Sequence, residues 1–170
     1  MEHVETHRSF VSYIDRTREY YAAQGYSKPY AWPRYDDVPF SPLRKPLSQC
    51  RIGLVTTAGR PLREVKTDAL GFGLTVRELY TEPTDPPPTS LFTADLGWDK
   101  NATHTEDVDS FLPINRLFEH AAGGRIGSVS PRFYGVPTDY SRSRTSLRYA
   151  PRILKWCRED GVDAVLLSAL

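Results

Sequence analysis

The chain has 170 residues, enough for one α/β domain, and its 22 basic residues nearly balance its 21 acidic ones. A net charge of +1 supplies no long-range attraction to phosphate backbones or anionic lipid, so nucleic acid and membranes are poor candidates for partners. The sequence shows neither an apolar leader nor a run of about eighteen apolar residues that could span a bilayer. Two cysteines without a Cys-x-x-Cys motif predict a reducing, cytoplasmic location.

Residues 1–49 predict a helix followed by an arm. Ser9 can cap a helix that runs to about Gln24, and Gly25 supplies its stop. From Tyr26 to Ser48, five prolines alternate with aromatic residues, a pattern that prevents regular structure but offers rings for burial. We expect an extended arm packed over the following domain, and a contact with a partner protein is the alternative.

Residues 50–170 predict an α/β domain with an open, mostly parallel sheet and flanking helices, because strand and helix patterns alternate along it. The expected strands cover residues 51–55, 90–95, 126–134 and 162–170, and the expected helices cover residues 113–122 and 148–160. The last helix should turn four residues toward the sheet: Ile153, Leu154, Trp156 and Cys157.

The closing run from Val162 to Leu170 is almost entirely apolar, which is typical of a parallel strand that is covered on both faces. Parallel α/β sheets place ligands in the loops beyond the carboxyl ends of their strands. The loop beyond this strand is therefore expected to carry chemistry. On this reasoning the domain is expected to be truncated at its carboxyl end.

Substrate-binding candidates lie at the carboxyl ends of two expected strands. Thr56, Thr57 and Gly59 belong to a turn of small residues after the first strand, where hydroxyls and free amides could hold an anionic ligand. Asp99 follows the second expected strand and would lie near that turn if the two strands were parallel neighbours.

No catalytic residue, metal site or cofactor is evident from the remaining residues. The four histidines lack metal-ligand spacing, and the Gly71-x-Gly73 pair lacks the third glycine of a dinucleotide site. Cys157 and Cys50 fit small core side chains better than nucleophiles. Asp160 and Asp163 flank a glycine, so they are expected to stabilise a helix-to-strand corner.

Several stretches, taken in order, resemble the selenoprotein B family of glycine, sarcosine, betaine and D-proline reductases in its shorter form. The matching stretches are residues 13–26, 36–43, 54–59, 111–117, 124–127 and 160–167. The resemblance implies reductive cleavage of a carbon–nitrogen bond in a small amino acid or betaine. It also implies electrons from a thioredoxin-like or dithiol donor, and further reductase-complex subunits as partners.

In that family, a cysteine or selenocysteine motif follows soon after the last strand and carries the redox chemistry, whereas this chain has no such motif. Selenocysteine is encoded by UGA. If this codon were read as a stop, the protein would end just before the reactive residue, so we expect selenocysteine just beyond Leu170. A selenol is more acidic than a thiol and would be an ionised nucleophile. A plain deletion, or a family member whose second half is absent, explains the same data.

Two hypotheses about function remain at this point. The first is the front half of a reductase, with the Thr56 turn and Asp99 lining a substrate pocket beside a missing selenol or thiol. The second is a non-catalytic binding or assembly subunit, in which the aromatic arm docks a partner and the sheet is scaffold.

Overall fold

A computed structural model describes residues 13–28, 36–38, 41–59, 78–91, 105–138 and 141–169. The chain divides into two units, Met1–Phe40 and Ser41–Leu170. Several predicted features lie outside the described residues: the Ser9 cap, the arm aromatics Tyr30, Trp32, Tyr35 and Phe40, the Gly71-x-Gly73 pair, Asp99 and His104.

The first unit contains helix α1, Tyr13–Ala23. It ends as the sequence predicts, because Gly25 adopts φ +83° and the amide of Tyr26 donates to the carbonyl of Tyr21 at 3.2 Å. The helix does not bury its tyrosines, since Tyr13 is 71% exposed and Tyr20 is 62% exposed. Tyr20, Tyr21 and Tyr26 form an exposed aromatic cluster, in which the Tyr21 ring makes edge-to-face contact with both other rings.

The second unit is built on a five-stranded sheet that is mostly parallel, which confirms the predicted fold class. Strand β1 pairs in parallel with β3 and β4 along one edge and with β5 along the other, and β2 is antiparallel to β4. The strands are β1 Arg51–Thr56, β2 Tyr80–Pro83, β3 Ser128–Val129, β4 Arg132–Gly135 and β5 Ala164–Ser168.

The predicted extended segment 126–134 is present as two short strands with a break at Ser130 and Pro131. Pro131 has no amide hydrogen and cannot donate to a ladder. The amide of Ser130 nevertheless donates to the carbonyl of Ile52 at 2.8 Å, and its carbonyl accepts from the buried hydroxyl of Thr84 at 2.5 Å. The break is therefore held by hydrogen bonds that replace the missing ladder contacts.

Helix α2 spans Ile114–Ala122, in agreement with the sequence, and Gly124 follows it at φ +67°. The last helical segment begins earlier than predicted, because the hydroxyl of Ser141 accepts from the amide of Arg144 and caps it. This segment comprises α3 Arg142–Arg144, a π-helical turn Thr145–Tyr149 and α4 Ala150–Glu159. Short 3-10 turns cover Leu47–Gln49 and Val108–Ser110.

Alternate residues of β1 and β4 pack into two separate core clusters, one on each face of the sheet. Ile52, Leu54 and Phe133 pack on the α2 face with Ile114 and Leu117. Val55 and Tyr134 pack on the α4 face with Cys157, Ile153 and Trp156. The prediction that Cys50 and Cys157 are small core side chains is confirmed, since both are buried.

The prediction that the closing strand is covered on both faces is wrong for the described residues. β5 pairs only with β1, and Leu167 is 77% exposed, with Val165 and Leu166 also exposed. Neither core cluster includes Val165, Leu166 or Leu167, whereas Val162, just before the strand, packs with the α4 cluster. Leu154 was likewise predicted to face the sheet, but it is 49% exposed because it lies beside the stripe formed by Ile153, Trp156 and Cys157.

Strand β2 was not predicted. The predicted strand at 90–95 is absent at its two described residues. Ser90 and Leu91 are not in a strand, and residues 92–95 lie outside the described part. Among the described residues, no helix has the length and hydrophobicity that a membrane crossing requires.

Gly127 provides a test of the packing between the segments that lead into β1 and β3. A Cβ atom at this position would lie 2.6 Å from the carbonyl carbon of Gln49, so Gly127→Ala forces backbone atoms apart. We expect a loss of about 1–3 kcal/mol in the free energy of unfolding, measured by urea denaturation. Gly123→Ala is the matched control, because its Cβ would meet nothing closer than 3.4 Å. Equal effects of the two substitutions would contradict this packing.

Candidate functional site

The carboxyl end of β1 is the place where β1, β4 and β5 all finish. Thr56 lies opposite Ser168 of β5 in the parallel register, and on the other edge it lies opposite Gly135 of β4. The amide of Val136 donates to the carbonyl of Thr56 at 2.8 Å. The strand ends are therefore held together at the edge where open α/β sheets bind ligands.

The turn after β1 is closed by its own side chains. The hydroxyl oxygen of the fully buried Thr56 accepts from the amide of Ala58 at 3.1 Å. The amide of Thr57 donates to the carbonyl of Ser168 at 3.3 Å, and the hydroxyl of Ser168 donates to the carbonyl of Phe111. Thr57 and Gly59 are the half-buried members of the turn, so their atoms are the ones within reach of a ligand.

The predicted binding residues are thus brought to one edge of the sheet, as far as the structure describes them. Thr56, Thr57 and Gly59 lie in one turn, and Asp99 lies outside the described residues. Their role in substrate binding stays a prediction.

Tyr80, at the start of β2, supports the same turn from the other side. Its hydroxyl donates to the carbonyl of Ala58 at 2.5 Å, and its ring lies over Gly135 of β4. A Cβ at Gly135 would overlap the Tyr80 ring at 1.8 Å, so only glycine leaves room for the ring. Sequence reasoning missed Tyr80, since a lone tyrosine before Thr-Glu-Pro carries no strand signal.

A cleft of about 420 Å³ opens on the α4 side of the sheet. Its lining comes from the residues just before β2 and from the last helical segment: Glu78, Leu79, Arg148, Tyr149, Arg152 and Trp156. Because β2 begins where β4 ends, Glu78 and Leu79 lie toward the carboxyl edge of the sheet. The cleft was missed from the sequence, although Arg148 and Arg152, four residues apart on a helix, share one face.

A buried hydrogen-bond network lies at the opposite, amino edge. One carboxylate oxygen of Asp160 accepts from the Arg132 guanidinium and from the Tyr134 hydroxyl, both at 2.7 Å. Tyr134 also lies 3.1 Å from the hydroxyl of Ser130. Asp163 has separate partners, the amide of Arg51 and the ammonium of Lys45. The two aspartates therefore stabilise the helix-to-strand corner, as predicted, and do not form an acid/base pair.

The pKa values in this network indicate a structural role. Burial opposes ionisation of Asp160, but the hydrogen bonds from Arg132 and Tyr134 outweigh it and hold the pKa of the carboxyl below its usual range. Burial raises the pKa of the Cys157 thiol, although its contact with Tyr134 acts in the opposite direction. A buried thiol with a raised pKa is a poor nucleophile, which argues against Cys157 as a redox centre.

The fold and this edge geometry define an open α/β protein with a cleft beside the carboxyl ends of its strands. The family model of glycine/sarcosine/betaine reductase selenoprotein B matches residues 18–170. The chain belongs to this family, which confirms the resemblance seen in its sequence motifs. No solved structure is significantly similar to the chain.

Curated relatives agree with the family match. The gamma subunit of glycine reductase complex component B from Carboxydothermus hydrogenoformans is 29% identical over 146 residues, which cover 81% of this chain and 32% of the relative. The D-proline reductase gamma subunit of Acetoanaerobium sticklandii is 29% identical over 133 residues, which cover 76% of this chain and 52% of the relative. The chain thus spans a third to a half of the length of these relatives.

Tyr80 offers a test of how the β1 turn is supported. Tyr80→Phe removes the hydroxyl that donates to Ala58 but keeps the ring, so we expect a loss of about 1 kcal/mol in the free energy of unfolding by urea denaturation. Tyr20→Phe, on the exposed face of α1, is the control and should change stability by less than about 0.5 kcal/mol. A Tyr80→Phe protein as stable as the control would show that the turn does not depend on this hydrogen bond.

Asp160 gives a pH-dependent test of the amino-edge network. Because its pKa is lower in the folded state, the network's stabilisation is complete above the ordinary carboxyl pKa of about 4 and is lost as pH falls through the folded value. We expect Asp160→Asn to cost about 1–3 kcal/mol at pH 7 and progressively less below pH 4, in denaturant unfolding at each pH. The control Glu119→Gln removes an exposed pair with Arg116 and should be nearly neutral. A cost of Asp160→Asn that did not change with pH would contradict the assignment.

Proposed function

We propose that this chain forms the front part of a reductase that cleaves the carbon–nitrogen bond of glycine, sarcosine, betaine or D-proline with electrons from a dithiol. Membership of the selenoprotein B family is the observation that carries this proposal. In the proposed reaction the dithiol gives two electrons and two protons and becomes a disulfide. The carbon–nitrogen bond is replaced by one carbon–hydrogen and one nitrogen–hydrogen bond.

The geometry at the carboxyl end of β5 supports a reactive residue soon after that strand. Ser168 lies opposite Thr56, and its carbonyl accepts from the amide of Thr57. A segment that follows β5 would begin beside the Thr56–Gly59 turn. A selenocysteine or cysteine in that segment would supply a selenolate or thiolate as the nucleophile. This chain's own contribution would be to hold the turn and to bind the substrate near it, with Thr57 and Gly59 as the accessible candidates.

The exposed apolar side chains of β5 support assembly with further protein. Val165, Leu166 and Leu167 lie on a strand whose outer edge has no described partner. Apolar surface of this kind marks contacts with other protein segments. We propose that the remainder of the reductase covers it, as the partial coverage of the longer relatives suggests.

A second candidate function is a non-catalytic assembly subunit, and the exposed tyrosine cluster of α1 favours it. Tyr20, Tyr21 and Tyr26 present edge-to-face rings that are at least 40% exposed, and exposed aromatic side chains are common at protein interfaces. In this case the sheet would serve only as scaffold.

The coding sequence after Leu170 distinguishes the two functions. For the reductase we expect a UGA codon, then an open frame with a nearby cysteine, and a native protein that contains selenium and exceeds 19.3 kDa. The measurements are nucleotide sequencing, intact mass spectrometry and elemental analysis. A different stop codon together with a stable native product of 19.3 kDa would favour the assembly subunit.

The 170 residues alone should be inactive, which serves as the internal control of the proposal. Turnover of glycine, betaine or D-proline by this chain with a dithiol would show that the reactive group lies within residues 1–170.

A further inference from the structure

The cleft lined by Arg148 and Arg152 carries charges that nothing in the described part of the structure neutralises. Both arginines are exposed, and no described carboxylate forms an ion pair with either of them. Glu78 lies on the same cleft and is also exposed. The cleft thus presents two guanidinium groups and one carboxylate to solvent.

The arginine side of the cleft is held in position before any ligand arrives. The Arg152 guanidinium lies 5.0 Å from the centroid of the Trp156 ring. Trp156 in turn stacks on Tyr134 at 6.4 Å, with an angle of 12° between the rings, and the Tyr134 hydroxyl is bound to Asp160. An arginine anchored in this way loses less conformational freedom on binding than an unsupported surface side chain.

The backbone at the cleft is also irregular. Arg148 and Tyr149 belong to the π-helical turn Thr145–Tyr149, which ends two residues before Pro151. Such turns are rare and are often found at functional sites. Arg148 lies in this turn and Arg152 in the helix that follows, and both line the cleft.

We infer that this cleft binds a small zwitterion, with Arg148 and Arg152 holding its carboxylate and Glu78 holding its ammonium group. Guanidinium groups match the planar geometry of a carboxylate, and a single opposing carboxylate matches one cationic nitrogen. Glu78 would repel a phosphate dianion, and a lone carboxylate is too few ligands for a metal ion. A volume of about 420 Å³ holds an amino acid or betaine together with bridging water.

This inference deepens the proposed function, because it assigns the amino-acid substrate class to a cleft in addition to Thr57 and Gly59, which do not line that cleft. The choice of ligands rests on the proposed function. The binding itself requires neither electrons nor a selenol. It can therefore be measured on the 170-residue chain as it stands.

The test is isothermal titration calorimetry with glycine, betaine, acetate, methylammonium and inorganic phosphate. We expect glycine and betaine to bind with dissociation constants of about 1 mM, and each of the other three probes to bind at least about tenfold more weakly. Arg148→Gln and Arg152→Gln should each weaken glycine and betaine binding about tenfold, the loss of one charged hydrogen bond. Glu78→Gln should weaken the zwitterions while leaving acetate binding unchanged or tighter.

Arg158→Gln is the matched control, since Arg158 is an exposed arginine of α4 that does not line the cleft. It should bind glycine and betaine like the unchanged chain, and circular dichroism should show that each variant is folded. If an arginine variant unfolds, the Glu78→Gln result decides. Phosphate or acetate binding as tightly as the zwitterions, no binding of glycine and betaine, or a loss of affinity in Arg158→Gln as large as in Arg152→Gln would each overturn the inference.

Failure of this inference and failure of the proposed function give different results. An ordinary stop codon after Leu170, together with a stable native product of 19.3 kDa, would remove the reductase proposal and leave zwitterion binding intact. A UGA codon with an open frame, but no zwitterion binding, would remove only the cleft assignment.

Discussion

The pairing of β1 along both of its edges is the interaction on which the second unit depends. β3, β4 and β5 all hydrogen-bond to this strand, and β2 joins the sheet only through β4. Since Ile52 to Thr56 are buried, β1 separates the two core clusters and contributes to both. The same pairing fixes the carboxyl end of the sheet, because Thr56 is held between Ser168 and Gly135. The position of the candidate site therefore follows from the most buried strand of the chain.

The features that could be predicted from the sequence are those governed by local chemistry. β1, α2 and the end of α4 follow from an apolar run, a proline at a helix start and glycines that adopt positive φ, at Gly124 and Gly161. A hydrogen bond closes the end of α4 around Gly161, because the amide of Val162 donates to the carbonyl of Cys157. Each of these signals lies within a few residues of the structure it determines. The early start at Ser141 was missed because Pro151 suggests a helix boundary, whereas the π-helical turn before it accommodates the ring.

The features that could not be predicted depend on distant neighbours. β2 is a strand because Tyr80 and Glu82 meet Gly135 and Phe133 of β4, more than fifty residues later, and no period-two pattern marks it. The cleft joins Glu78 to arginines some seventy residues away. For β5, the strand itself was predicted from the sequence, but the coverage of its faces was not. Its apolar run correctly indicates a parallel strand, but periodicity cannot say which neighbour covers its faces, and within the described residues no element covers Val165, Leu166 or Leu167.

The amino-terminal and carboxyl-terminal ends of the parallel strands, the two edges described above, have different physical characters, and Trp156 connects them. At the amino edge, Asp160, Arg132, Tyr134 and Ser130 satisfy one another's hydrogen bonds, and burial raises the pKa of the Cys157 thiol, so this edge has a structural character. The Tyr134 ring then stacks on Trp156, and Arg132 approaches the same ring at 5.8 Å. Trp156 carries Arg152 on the cleft wall. The buried network therefore acts as a positioning element for the cleft, since a change that releases Tyr134 from Asp160 would loosen the ring on which Arg152 rests.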